Sequence, residues 1–200
     1  HRKIILPQLG APGVKSFEVT KRTGFRVEYG PIKADDLSAY LKSGNKATPE
    51  MRRVRFPLAD RIVLIPVELV SILLPLVILT IVAFLGLGWL AALGVLTAAL
   101  SGTVLFPVLL PYLPSKDYST KGLILGIIMA LPFAAYQLMA LPSGEWQTYA
   151  AAFAFLLVMP PATAYLALNF TGSTPYPSRT GVRKEIYTYI PAMAVMFVPG

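Results

Sequence analysis

No cysteine occurs in the 200 residues, and the single histidine is His1. That excludes disulfides, thiolate zinc sites and cysteine-ligated iron–sulfur clusters built from these residues. A lone terminal histidine cannot make a metal site by itself. Charge is scarce too, at 14% of residues against roughly a quarter in ordinary soluble domains. The start has no signal-peptide layout, lacking an apolar core followed by a small-residue cleavage site. Instead Lys3-Ile4-Ile5-Leu6 opens directly into a strand-like run. This start is read as the interior of a domain whose front lies upstream of His1.

The charge that is present is unevenly placed. Residues 1–61 hold 13 of the 18 Lys and Arg and 6 of the 10 Asp and Glu, a net +7, which leaves +1 for residues 62–200. This split suits a water-soluble head on a lipid-embedded body. Three parts are expected: residues 1–45 as the end of an α/β domain, 46–61 as a basic juxtamembrane linker, and 62–200 as a membrane domain.

Residues 62–85 form the first expected span, with Glu68 as its one charge. As a helix it measures roughly 36 Å, enough to cross a ~30 Å hydrocarbon core with some tilt. A tight turn at Gly86-Leu87-Gly88 leads to further spans at 89–113, 122–141 and 146–168. A polar loop at 169–188 precedes an apolar stretch at 190–200, read as a fifth span cut short, since a helical span needs ~20 residues. The turns at 86–88 and 142–145 carry no Lys or Arg. Lys116, Lys121, Arg179, Arg183 and Lys184 lie in the other two loops, and Arg52, Arg53, Arg55 and Arg61 precede the first span. Basic loops stay on the cytoplasmic side, which predicts a multi-pass protein of the cell (inner) membrane with a cytoplasmic head.

Within the spans, Gly122 and Gly126, like Ala98 and Gly102, have the small-xxx-small spacing that allows close helix approach. Gly86-Leu87-Gly88 has no strand before it, so it is not a dinucleotide fingerprint. Asn169-Phe170-Thr171, on a loop expected to be cytoplasmic, is not a glycosylation site. Glu68, roughly 9 Å inside the first span at 1.5 Å per residue, needs a proton or a partner. A functional intramembrane carboxylate and a buried hydrogen bond to Tyr136 or Gln137 are equally open readings.

The head alternates strand and helix. Lys3–Leu6 reads as a strand, Gln8-Leu9-Gly10-Ala11-Pro12-Gly13 as a loop for close backbone approach, and 14–22 as a helix. Phe25–Tyr29 reads as a second strand, broken by Gly30-Pro31, and 34–41 as a second helix. This is the order of a parallel doubly wound sheet, in which ligands bind beyond the carboxyl ends of the strands. Gln8, Leu9, Gly10, Ala11, Pro12 and Gly13, with Tyr29, Gly30 and Pro31, are the candidate cofactor-binding residues there. Gly and Pro after a strand most often mark ordinary turns, and on residue types alone that reading outweighs a cofactor site.

Leu6-Pro-Gln-Leu-Gly-Ala-Pro-Gly-Val14, Gly24-Phe25, Tyr29-Gly-Pro-Ile-Lys-Ala34, Asp36-Leu37, Ala47-Thr-Pro-Glu-Met-Arg-Arg-Val54 and Asp60-Arg61 resemble the corrinoid protein family of microbial mercury methylation (the HgcA family). Pro66-Val67-Glu68 fits the same family. The resemblance covers about a third of the chain. It implies the βαβα end of a Rossmann-like corrinoid-binding domain, a helical membrane bundle, and methyl transfer from a cobalamin-type corrinoid to Hg(II). It also implies a ferredoxin-like iron–sulfur protein as reductant and a methyl-folate-type donor, with no nucleic-acid partner. The family's cobalt-ligating cysteine has no counterpart here and is expected upstream of His1. Competing readings are a methyl carrier of one-carbon metabolism without mercury activity, a transporter or channel, and a plain membrane anchor.

Overall fold

The structure, a computed structural model, describes residues 2–140, 146–174 and 179–197, and the chain divides into two compact units, residues 1–55 and 56–200. The boundary falls inside the expected linker. Residues 46–55 go with the head, where the Ile32 amide donates to the Met51 carbonyl (3.0 Å). Residues 56–61 go with the helical unit.

In the head, β1 (Lys3–Leu6) and β2 (Arg26–Tyr29) form a two-stranded parallel sheet in the register Lys3↔Arg26 to Leu6↔Tyr29. α1 (Ser16–Thr23) connects them. Glu18 in its first turn and Lys21 and Arg22 in its last complement the helix dipole. Gly24 then ends it at φ 71°, a left-handed conformation that glycine adopts without steric cost. After β2 a 3-10 turn (Ala34–Asp36) leads into α2 (Leu37–Lys42), whose Tyr40 is buried. Gln8–Gly13, expected as an irregular loop, is a 3-10 helix. Strand, helix, parallel strand and helix are thus present, but among the described residues only two strands form the sheet.

The second unit is helical. α3 (Leu58–Ile62) precedes α4 (Ile65–Leu87). α5 (Trp89–Leu100) continues through a π-helical segment, Ser101–Leu105, into α6 (Phe106–Leu109). α7 (Tyr118–Ala140), α8 (Trp146–Asn169), a 3-10 turn (Phe170–Ser173) and α9 (Arg179–Phe197) follow. Among the described residues, four stretches are long and apolar enough to cross a membrane: Leu58–Leu87, Trp89–Leu109, Tyr118–Met139 and Trp146–Gly172. The chain therefore has the character of a membrane protein.

Several boundaries differ from expectation. The first turn closes at Gly88 (φ 89°), because α4 runs through Gly86 and Leu87. The second span stops at Leu109, short of 113, where Pro111 cannot supply an amide. Its π segment has the same kind of cause. Pro107 cannot donate to the Thr103 carbonyl and its ring crowds it, so the register slips and the Phe106 amide reaches Ser101 instead. α7 starts at Tyr118, so Lys121 lies in the helix rather than in a loop. The largest correction concerns the fifth segment. The expected polar loop is helical from Arg179, and α9 extends to Phe197 rather than starting at 190. Arg, Lys and Glu are good helix formers, so their polarity did not mark a loop.

α7 and α8 make the closest approach. A Cβ on Gly122 would lie 2.6 Å from the Ala164 Cα, and one on Gly126 2.5 Å from the Pro160 Cα. Gly102 meets Leu166 and the Thr163 carbonyl in the same way (2.6 and 3.0 Å). The small-residue spacings therefore serve packing within the chain. Phe106, Leu110, Tyr118, Leu125, Ala167 and Phe170 form one buried cluster, and Ala98, Ala130 and Met159 a second. α4 differs, since none of its residues is buried.

Candidate functional site

The carboxyl end of the parallel pair brings the two predicted loops together. The Gly30 amide donates to the Leu6 carbonyl (2.9 Å), so Pro7 and Gly30 leave the sheet side by side. The Tyr29 hydroxyl donates to the carbonyl of Val14, just beyond the Gln8–Gly13 turn (2.7 Å). Tyr29 thus ties the turn to β2, a positioning role. Inside the turn the Gly10 amide donates to the Pro7 carbonyl (2.9 Å).

Apart from Tyr29, the candidate residues divide into two kinds. Gly30 and Pro31 are buried, and a Cβ on Gly30 would lie 2.8 Å from Ile5 Cγ2 and 3.6 Å from Tyr40 Cε1. Packing alone accounts for glycine there, and no ligand surface is left at its Cα. Gly10 and Gly13 have no atom within 4 Å of the Cβ position, while Leu9, Ala11 and Pro12 are exposed and Gln8 is half-buried. The turn therefore leaves its backbone accessible, whereas Gly30-Pro31 are packed against the sheet and Tyr40.

Glu28 accepts a hydrogen bond from Asn45 Nδ2 (3.3 Å) and pairs with Lys3 Nζ (3.0 Å). The Lys3 hydrogen bond holds its carboxyl below the ordinary value. In register Glu28 faces Ile5, one step back from the Leu6–Tyr29 edge, so this ion pair braces the sheet.

In the helical unit, Glu68 lies within the membrane-length stretch Leu58–Leu87 and in the first turn of α4, where the helix dipole favours a carboxylate. The expected partners are at the opposite end. Tyr136 packs edge-on to Trp89 (5.8 Å), and Gln137 lies beside Leu87 and Leu90.

A polar layer absent from the sequence reading closes the other end of the bundle. Arg61 is 8% exposed and donates through Nη1 to the carbonyls of Pro107 (2.8 Å) and Val108 (3.2 Å). Lys121 Nζ donates to the Leu110 carbonyl (2.7 Å). Both cations satisfy carbonyls left without amide partners where the second span breaks. Glu185, also 8% exposed, accepts from the Ser119 amide and hydroxyl (3.1 Å each) and so caps the start of α7 from α9. Thr120 donates to the Tyr189 hydroxyl (2.9 Å), which donates to Asp117 Oδ2 (2.8 Å). The only sequence signal for this layer was Pro111, which implies orphan carbonyls in need of donors. Nothing local marked Glu185 as buried. Among the described residues no cluster of three or more His, Cys, Asp or Glu could hold a metal ion.

Compared with protein-family models, with curated proteins and with solved structures, the chain has no match in any of the three.

Proposed function

We propose that this chain is part of a membrane-bound, corrinoid-dependent methyltransferase, with a Rossmann-like head held at the cytoplasmic face of the cell membrane and Hg(II) as methyl acceptor. The observation that supports this reading best is the open 3-10 turn Gln8–Gly13, beside β2 at the carboxyl edge of a parallel pair, in a chain with four membrane-length helices. That edge is where open α/β sheets bind ligands.

A bound corrinoid would supply a cobalt centre that carries the methyl group. The chain's own residues would hold and shield it. Gly10 and Gly13 leave room for a ring to reach the backbone, Leu9 and Pro12 exclude water from its edge, and Tyr29 fixes the turn through Val14. A ferredoxin-like iron–sulfur reductant and a methyl-folate-type donor are the partners this chemistry requires.

The test is reconstitution of the full-length protein with cobalamin and measurement of its visible absorption. Retained corrinoid colour, lowered in Gly10→Val and Gly13→Val with membrane insertion intact, is the expected result. A colourless protein, or unchanged retention in both variants, overturns the assignment.

A further inference from the structure

α4 lies along α5, yet its lining face and that of α8 stand apart across a long groove of ≈ 790 Å³. Its walls run from Ser71 to Leu87 on α4 and from Val158 to Asn169 on α8, with Ala98 on the α5 side and Phe197 of α9 also lining it. Leu79 and Val82 line it while remaining 56% and 61% exposed, so it is open along one side rather than sealed. A second cavity of ≈ 310 Å³ shares Ala83, Gly94 and Met159 with it and extends it past Leu90.

Three features identify the occupant. The groove follows α4 from Ser71 to Leu87, roughly 24 Å at 1.5 Å per residue and most of a ~30 Å hydrocarbon core. An elongated ligand suits that shape, and a compact solute does not. Its lining is apolar along nearly the whole length, and small residues (Ala83, Ala98, Ala162) leave the space. Ser71, Tyr165 and Asn169 sit together at the end where α4 begins and α8 finishes. Polar groups at one mouth and an apolar channel behind them match an amphiphile with its head at Asn169 and its tail toward Gly86. An apolar gap of this size left empty forfeits the contacts of every atom lining it, and a bilayer offers acyl chains to fill it.

We propose that this groove binds a membrane phospholipid as a resident ligand, one acyl chain lying between α4 and α8 and the polar headgroup region at Ser71, Tyr165 and Asn169. The lipid chain adds to the α4–α5 packing by filling the space between α4 and α8. The site is independent of the head and of any corrinoid.

Native mass spectrometry of the full-length protein released from detergent, with phospholipid extraction of the same sample, tests this. Wild type should retain about one phospholipid per chain. Ala83→Phe and Ala162→Phe place a ring in the channel and should lower retention roughly tenfold, the effect of displacing two buried methylenes. Leu85→Phe, on the 77% exposed face of α4, should retain lipid like wild type. Helicity and monodispersity establish folding for each variant, with Ala162→Leu as a smaller plug should Ala162→Phe not fold. A wild-type protein without phospholipid, or equal retention or equal loss in the channel and Leu85 variants, overturns the proposal.

Discussion

Glycine occurs in two contrasting settings in this chain. At the α7–α8 seam, Gly122 and Gly126 are pressed against the backbone of Ala164 and Pro160, with no room for even one carbon. In the head turn, Gly10 and Gly13 have nothing within 4 Å of the same position. The seam glycines are fully explained by the fold. Packing places no such demand on the turn glycines, nor on Gly86 or Gly172, and the proposed ligand is what would set Gly10 and Gly13 apart. Gly30 sits one chain segment from the turn but belongs with the seam, its Cβ position already taken by Ile5.

The largest effect should come from Gly126→Val. The added branch meets backbone rather than a flexible side chain, and overpacking of this kind costs about 3 kcal/mol. Denaturant unfolding of the full-length protein in micelles measures it, and a loss too small to detect would break the comparison at its packed end. Arg61→Met should cost about 2 kcal/mol in the same assay, since it removes charge-assisted hydrogen bonds to the Pro107 and Val108 carbonyls. Glu185→Gln keeps an acceptor for Ser119 but removes the charge at the start of α7, so about 1 kcal/mol is expected.

At the open end, Gly10→Ala should leave stability within about 0.5 kcal/mol of wild type, because the substituent points into free space. A loss as large as that of Gly126→Val would show that the turn is packed and has no room for a cofactor. The smallest effect concerns pH. The folded-state pKa of Glu28 lies below the ordinary 4.5. Its contribution is therefore present above that value and lost as pH falls through the lower folded-state pKa. Head unfolding followed from pH 6 downward should show a slight decline below about pH 4.5 that Glu28→Gln abolishes. A larger decline in the variant would reverse the sign and refute the Lys3 pairing.

Much of the fold was legible beforehand for simple reasons. Apolar runs of membrane length at 62–85, 89–113, 122–141 and 146–168 correspond to α4, α5–α6, α7 and α8, because a continuous apolar stretch has one stable solution in lipid. Strand β1 and the positions of the head helices followed from local pattern and turn residues. Element ends were less legible. Lys121 and Arg183 were read as loop markers because charge normally stays outside spans, whereas both lie in helices. Of the candidate site, the sequence placed Gln8–Gly13 and Gly30-Pro31 at one sheet edge. It did not separate the open turn from the buried support, because Gly10 and Gly30 are the same residue type and differ only in what packs against them.

Composition and hydropathy alone determined a basic, polar head and apolar helices of bilayer length, since solvent partition acts on each segment independently of its neighbours. Tertiary structure alone decided which glycines are filled, which charges are buried and where α4 stands away from α8. Those outcomes depend on contacts between residues far apart in the chain. Arg61 meets Pro107, Glu185 meets Ser119 and Gly126 meets Pro160, and no local pattern encodes such pairings.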